Sequence, residues 1–156
     1  MTLSEGYRLS LDPAELQLDI IHDYLTRSYW SPGIPRHAVE RAVRHSLTVA
    51  VFDRSGAQVG FARMVSDQAS FGYLADVFVL EPHRGRGLAR AMVLALLDLP
   101  ELRDCRTLLL LTRDAHGVYE ACGYQRVQDP GSFMQIRRPG HYPQAPDGIP
   151  EQMTQE

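Results

Sequence analysis

One stretch constrains this chain more than any other. Residues 74–80 are apolar except at Asp76, and they close a strand-like segment that begins at Phe71. The turn Val79-Leu80-Glu81-Pro82-His83-Arg84-Gly85-Arg86-Gly87-Leu88-Ala89 follows, and then Arg90-Ala91-Met92-Val93-Leu94-Ala95-Leu96-Leu97, which is rich in good helix formers. The spacing predicts strand, glycine-rich turn, helix. Such a turn presents unpaired backbone N–H groups at a helix N-terminus, a ready anion site. Gly85 and Gly87 let the backbone approach a ligand without an intervening Cβ. Arg84, Arg86 and Arg90 add positive charge. Together these residues read as a pyrophosphate cradle, against the plainer reading of an ordinary strand-to-helix turn with solvated arginines.

Three phosphate-binding designs use such a turn. A Walker loop ends in Gly-Lys-Ser/Thr, which is absent. A dinucleotide fingerprint needs Gly or Ala three residues after its second glycine, where this chain has Arg90. Arg84-x-x-Gly87-x-Ala89, preceded by Val79-x-x-Pro82, resembles the acyl-CoA loop of the GNAT superfamily of N-acetyltransferases, Gln/Arg-x-x-Gly-x-Gly/Ala. A second stretch, 112–124, resembles that family's later motif, Asn-x-x-Ala-x-x-Leu-Tyr-x-x-x-Gly-Phe/Tyr. Ala115, Tyr119, Gly123 and Tyr124 match, and Val118 is conservative. Thr112 stands where Asn is usual, so the amide that often contacts the pantetheine arm is missing. The resemblance spans roughly residues 5–138.

The resemblance implies an α/β (α+β) fold: a mixed central sheet with splayed parallel strands, flanked by helices. It implies an acyl-CoA-dependent N-acetyltransferase that uses acetyl-CoA as co-substrate and a small-molecule or peptide amine as acceptor. The pantetheine arm would lie along Val77, Phe78 and Val79. The pyrophosphate would sit on Arg84, Gly85, Arg86, Gly87, Leu88, Ala89 and Arg90. Tyr119 holds the place of the tyrosine that protonates the departing thiolate; the plainer reading is a core aromatic. The alternative function is a non-catalytic acyl-CoA-binding regulatory module, which would keep the loop and lose the tyrosine. A homodimer is in keeping with such folds.

Asp76 is the one carboxylate in the central apolar run. Burial would raise its pKa and suit it to a general base, or it is a structural acceptor for loop N–H groups or an arginine. The polyamine-acetylating branch often has Glu-Asp here, and this chain has Ala75-Asp76. Arg63, among Phe61, Ala62, Met64 and Val65, needs an anionic partner if buried: Asp76 or a substrate carboxylate. Tyr24, Tyr29 and Trp30 cluster where an acceptor pocket is expected, and aromatics there either wall a pocket or simply pack.

The remaining numbers exclude other classes. A length of 156 residues suits one domain with a real core. The formal net charge of −3, with no basic run, argues against a nucleic-acid surface. The first residues lack a signal-peptide pattern, and no apolar stretch approaches a membrane span, so a cytoplasmic protein is expected. Cys105 and Cys122 show no disulfide or zinc spacing, the six histidines are scattered, and no metal is expected.

Read in order, 7–11 is a short strand. Asp12-Pro13-Ala14-Glu15 opens a first helix, with Asp12 as its cap. A two-proline loop at 31–35 precedes a second helix. Strands at 48–53 and 58–65 flank a hairpin turn, and 106–112 is a buried strand parallel to 71–80. Asp114 is expected to cap a short helix to Cys122. Strands are expected at 124–127 and 133–138. Residues 1–138 form the domain, and 139–156, with four prolines, an extended tail.

Overall fold

Period-two alternation in the strand segments leaves an apolar residue on each face of the sheet, so both faces need cover. The structure, a computed structural model, describes residues 3, 6–138 and 142. Among these, five strands form one sheet in the order β1-β2-β3-β4-β5. They are β1 (Arg8–Ser10), β2 (Leu47–Phe52), β3 (Gln58–Ser66), β4 (Phe71–Val79) and β5 (Thr107–Leu110). The first four are antiparallel neighbours, and β5 joins β4 in parallel. The helices are α1 (Leu18–Thr26), α2 (Arg36–Arg44), α3 (Leu88–Leu97) and α4 (His116–Glu120). This is the mixed sheet with flanking helices that the family resemblance implies.

Alternation divides the core. Met64, Val77 and Val79 face α3, where Leu88, Met92 and Leu96 close the layer. Phe61 and Phe78 face the other way, onto Ile21, Tyr24 and Leu25 of α1 and Val39 of α2. Phe61 and Phe78 are 0% and 1% exposed, and each such burial contributes roughly 1.5–3 kcal/mol. Ala38 and Val43 of α2 pack beside Val39.

Several expected elements differ. Asp12 does accept from the Ala14 N–H, but it caps a 3-10 turn at Pro13–Glu15 rather than α1. Glu15 pairs instead with Arg8. Asp114 does not cap α4; the turn before it is held by Thr112, whose Oγ1 accepts from the Ala115 N–H at 3.0 Å. No strand forms at 124–127 or 133–138. A 3-10 turn at Pro130–Ser132 separates the two segments, and Phe133, Met134 and Ile136 stand exposed. β-propensity acts only where a pleated, half-buried surface receives the strand, and these segments find none among the described residues. The expected tail lies outside the described residues apart from Tyr142. No helix among the described residues is long and apolar enough to cross a membrane.

The β4–β5 ladder runs from Phe71 opposite Thr107 to Leu74 opposite Leu110 and stops. β4 continues to Val79 with no strand paired on that edge among the described residues.

Candidate active site

Where β4 leaves β5 it also bulges against β3. Phe61 faces Phe78 but Arg63 faces Ala75, so Asp76 and Val77 together oppose Ala62. Asp76 takes up the extra residue in the left-handed region, φ 55°. A non-glycine residue held there is costly and persists only when its surroundings fix it. Here they do. Asp76 is 8% exposed. Its Oδ1 accepts from the Trp30 indole N–H at 2.9 Å, and its Oδ2 from Arg63 Nε at 2.5 Å. Arg63 Nη1 also donates to Ser46 Oγ at 3.2 Å. Of the partners left open for Arg63 and Asp76, the structure selects each for the other.

A buried pair of this kind is most sensitive to losing one member. Arg63→Met is therefore expected to destabilise the fold by about 3–5 kcal/mol, because it leaves a buried carboxylate uncompensated. Thermal melts of Arg63→Met, and of Arg63→Met combined with Asp76→Asn, test this. The double variant should recover part of the loss, and a wild-type melt for the single variant would show that the pair contributes little.

At the far end of β4 the chain enters the cradle. The Leu80 N–H donates to Val59 O on β3, so alternation turns the Val79 backbone toward the unpaired side. The Val79 carbonyl accepts from Arg84 Nε at 3.0 Å, and Arg84 Nη2 donates to Tyr24 Oη at 3.0 Å. Tyr24 in turn stacks on Phe78, centroids 4.0 Å apart and 9° between planes. Arg84 thus ties the loop to β4 and α1, and its guanidinium is engaged there. Arg86 and Arg90 are exposed on the loop and on the first turn of α3. Gly85 and Gly87 have φ of 73° and 72°, and a Cβ on either would meet no heavy atom within 4 Å. No side chain caps α3, and its first helical bond is Ala91 N–H to Gly87 O. The N–H groups of Leu88, Ala89 and Arg90 therefore have no partner within the helix. Open space, glycine backbone, orphan N–H groups and two arginines fit a pyrophosphate.

Tyr119 lies on α4, packed into the core cluster that includes Val77 and Val79 of β4. It is 3% exposed and lines a cavity of about 910 Å³ with Leu108 to Leu111 of β5 and the segment after it, His116 and Tyr124 among its walls. Burial, and next the nearby Tyr29, hold its phenol above the usual tyrosine range. Tyr124 meets it edge-on at 6.2 Å. The Tyr124 hydroxyl is buried with no hydrogen-bond partner among the described residues, and burial pushes its phenol up to about 12. Tyr124→Phe removes an unsatisfied group and keeps the ring. It should raise stability by about 1 kcal/mol, and a lower melting temperature would count against that account.

The expected aromatics do gather beside Asp76. Tyr29 meets Trp30 edge-on, centroids 5.0 Å apart, and Tyr24 lies behind Trp30 at 6.1 Å. Sequence reasoning missed two participants. Ser46 carried no signal. Arg113 follows Thr112 in the second motif and lies with its guanidinium 4.0 Å from the Tyr29 ring centroid.

Known proteins resemble this arrangement. Residues 14–124 match the family model described as the acetyltransferase (GNAT) family. A candidate acetyltransferase of Gibberella zeae is 33% identical over 133 residues, covering 70% of this chain and 74% of that one. The crystal structure of a candidate GNAT acetyltransferase from Xanthomonas campestris pv. campestris has a TM-score of 0.82 at 42% identity. It covers 87% of this chain and 96% of its own. A candidate acetyltransferase of Clostridium acetobutylicum, solved with acetyl-CoA, shares the fold at a TM-score of 0.61 and 16% identity, covering 85% and 95%.

Proposed function

Because this chain belongs to the GNAT acetyltransferase family and is an acyltransferase enzyme, we propose that it moves an acetyl group from acetyl-CoA to a primary amine of a small molecule or peptide. One observation carries this reading. Among the described residues no strand pairs with the β4 edge beyond Leu74, and at its end the Gly85–Gly87 turn leads into the N-terminus of α3, which no side chain caps. A long, partly polar arm ending in a pyrophosphate fits that path. Its arm would bond the backbone of Val77 and Val79, with Phe78 backing the strand from the α1 side. The phosphates would take the N–H groups and charge of Gly85, Arg86, Gly87, Leu88, Ala89 and Arg90. Arg84 holds the loop in place for them.

The thioester would then lie between the Asp76 bulge and Tyr119, with the acceptor entering past Tyr29 and Trp30. The amine attacks the thioester carbonyl directly, the carbon–sulfur bond breaks, and Tyr119 gives its proton to the leaving sulfur. Asp76 anchors Arg63 and Trp30 in this reading and leaves the amine's proton to solvent, since both its oxygens already accept from donors. A covalent route through Cys122 is disfavoured. Burial pushes its thiol up, opposite to what a nucleophilic cysteine needs.

The test is release of free thiol from acetyl-CoA in the presence of a library of primary amines, with mass spectrometry of the product. Thiol release that depends on the amine, and a product heavier by one acetyl group, is expected. Tight acetyl-CoA binding with no turnover on any amine would favour the non-catalytic binding module instead.

A further inference from the structure

The mouth of the splay is crossed by a row of contacts that begins at Arg113, an exposed residue in the loop after β5. Its guanidinium lies over the Tyr29 ring at 4.0 Å, nearer than the other two arginine–aromatic contacts among the described residues, at 4.6 and 6.0 Å. Tyr29 meets Trp30 at 80°. Trp30 donates to Asp76, Asp76 accepts from Arg63, and Arg63 donates to Ser46. The row therefore joins the β5 side of the splay to β4 and β3. It does so where the ladder ends, and Tyr29 is also close enough to influence Tyr119. The connection between α1 and α2 that carries Tyr29 and Trp30 has no strand or helix of its own; backbone bonds such as Gly33 N–H to Thr26 O at 2.8 Å brace its ends, and side-chain contacts set its two aromatics.

We propose that Arg113 is a positioning residue that clasps the α1–α2 connection over the β4–β5 splay and so sets the acceptor side of the site. It rests on the reading of the splay as the site of acetyl transfer. A planar guanidinium suits the role because it lies flat on an aromatic face. The acyl-CoA cradle begins at the end of β4, beyond Asp76, and reaches this row through Arg84 and Tyr24, which lies behind Trp30, rather than through Arg113 or Tyr29. Losing the clasp should therefore loosen Tyr29 and Trp30 and weaken the acceptor without weakening acetyl-CoA.

Trp30 is the one tryptophan of the chain, so its fluorescence reads the clasp without turnover. In Arg113→Gln, emission should move to longer wavelength and acrylamide quenching should rise. Arg113→Lys, which keeps a cation over the ring, should restore much of the wild-type signal. Because Arg113 is exposed, both variants should fold, as circular dichroism would verify. Tyr29→Leu should reproduce the loss. With the most active primary amine from the screen above, Arg113→Gln should raise the acceptor KM roughly 3- to 30-fold, the range one cation–π contact supports. The acetyl-CoA KM should stay unchanged. Unaltered Trp30 emission and quenching in Arg113→Gln would overturn the clasp, and so would a rise in the acetyl-CoA KM alone. A changed Trp30 signal with no amine acetylated by the wild type would support the clasp and defeat the acetyl-transfer reading.

Discussion

Tyr119→Phe is expected to lower kcat by on the order of 10²- to 10⁴-fold, the usual range for removing a general acid, with acetyl-CoA affinity nearly unchanged. A departing thiolate needs a proton as the carbon–sulfur bond breaks. A phenol supplies one at neutral pH because its ordinary pKa is near 10. Burial raises the Tyr119 phenol further, so the proton-bearing form is present throughout the neutral range. The sign of the shift gives a second expectation. Ionisation of Tyr119 should not depress kcat until the pH passes about 10, so a fall at lower pH belongs to another group. Phe keeps the ring that packs against Tyr124, which separates acid from packing. Turnover and acetyl-CoA binding should be measured on the same preparation. Near-normal kcat in the variant would remove Tyr119 from the chemistry and make His116, on the same cavity wall, the next residue to test. Joint loss of binding and turnover would make Tyr119 a packing residue.

Gly87→Val should weaken acetyl-CoA binding by on the order of 100-fold, the loss of about two backbone hydrogen bonds to a charged group at ~1.5 kcal/mol each. The reason is local. Gly87 is the residue before α3, with φ 72° and ψ 14°. A Cβ there meets no heavy atom of the described residues within 4 Å, so a branched side chain projects into the space the phosphates would fill. The left-handed conformation adds a penalty of roughly 1–2 kcal/mol to any non-glycine residue, which the fold should tolerate. Gly87→Ala carries the same backbone penalty with less bulk, so comparing the two separates strain from obstruction. Calorimetry on the folded variants reads the outcome. Wild-type affinity in Gly87→Val would mean that the phosphates bind elsewhere.

Much of this molecule is legible in its sequence, for reasons that are local along the chain. The 71–97 stretch announces a strand, a turn and a helix. Glycine at 85 and 87 reflects a backbone that L side chains avoid, and both do sit at positive φ. The helical crossover obliges β5 to run parallel to β4. The same local reasoning went wrong where no partner surface receives a segment, as at 124–127 and 133–138. It also placed the α1 start too early, because Asp12 and Pro13 are satisfied by a single 3-10 turn.

The sequence by itself determined the succession of elements from β1 to α4, the glycine-rich turn before α3 and the family motif in which Tyr119 stands. Only the tertiary structure decided the partners of the charged and aromatic residues around it. Arg63 and Asp76 are 13 residues apart, Trp30 and Asp76 are 46, and Arg84 and Tyr24 are 60. Those pairings depend on the β3–β4 register, on the bulge that turns Asp76 toward α1, and on where the α1–α2 connection crosses the sheet. No spacing along the chain encodes them. Periodicity and turn chemistry act over a few residues, whereas a buried ion pair exists only once distant strands have settled into register.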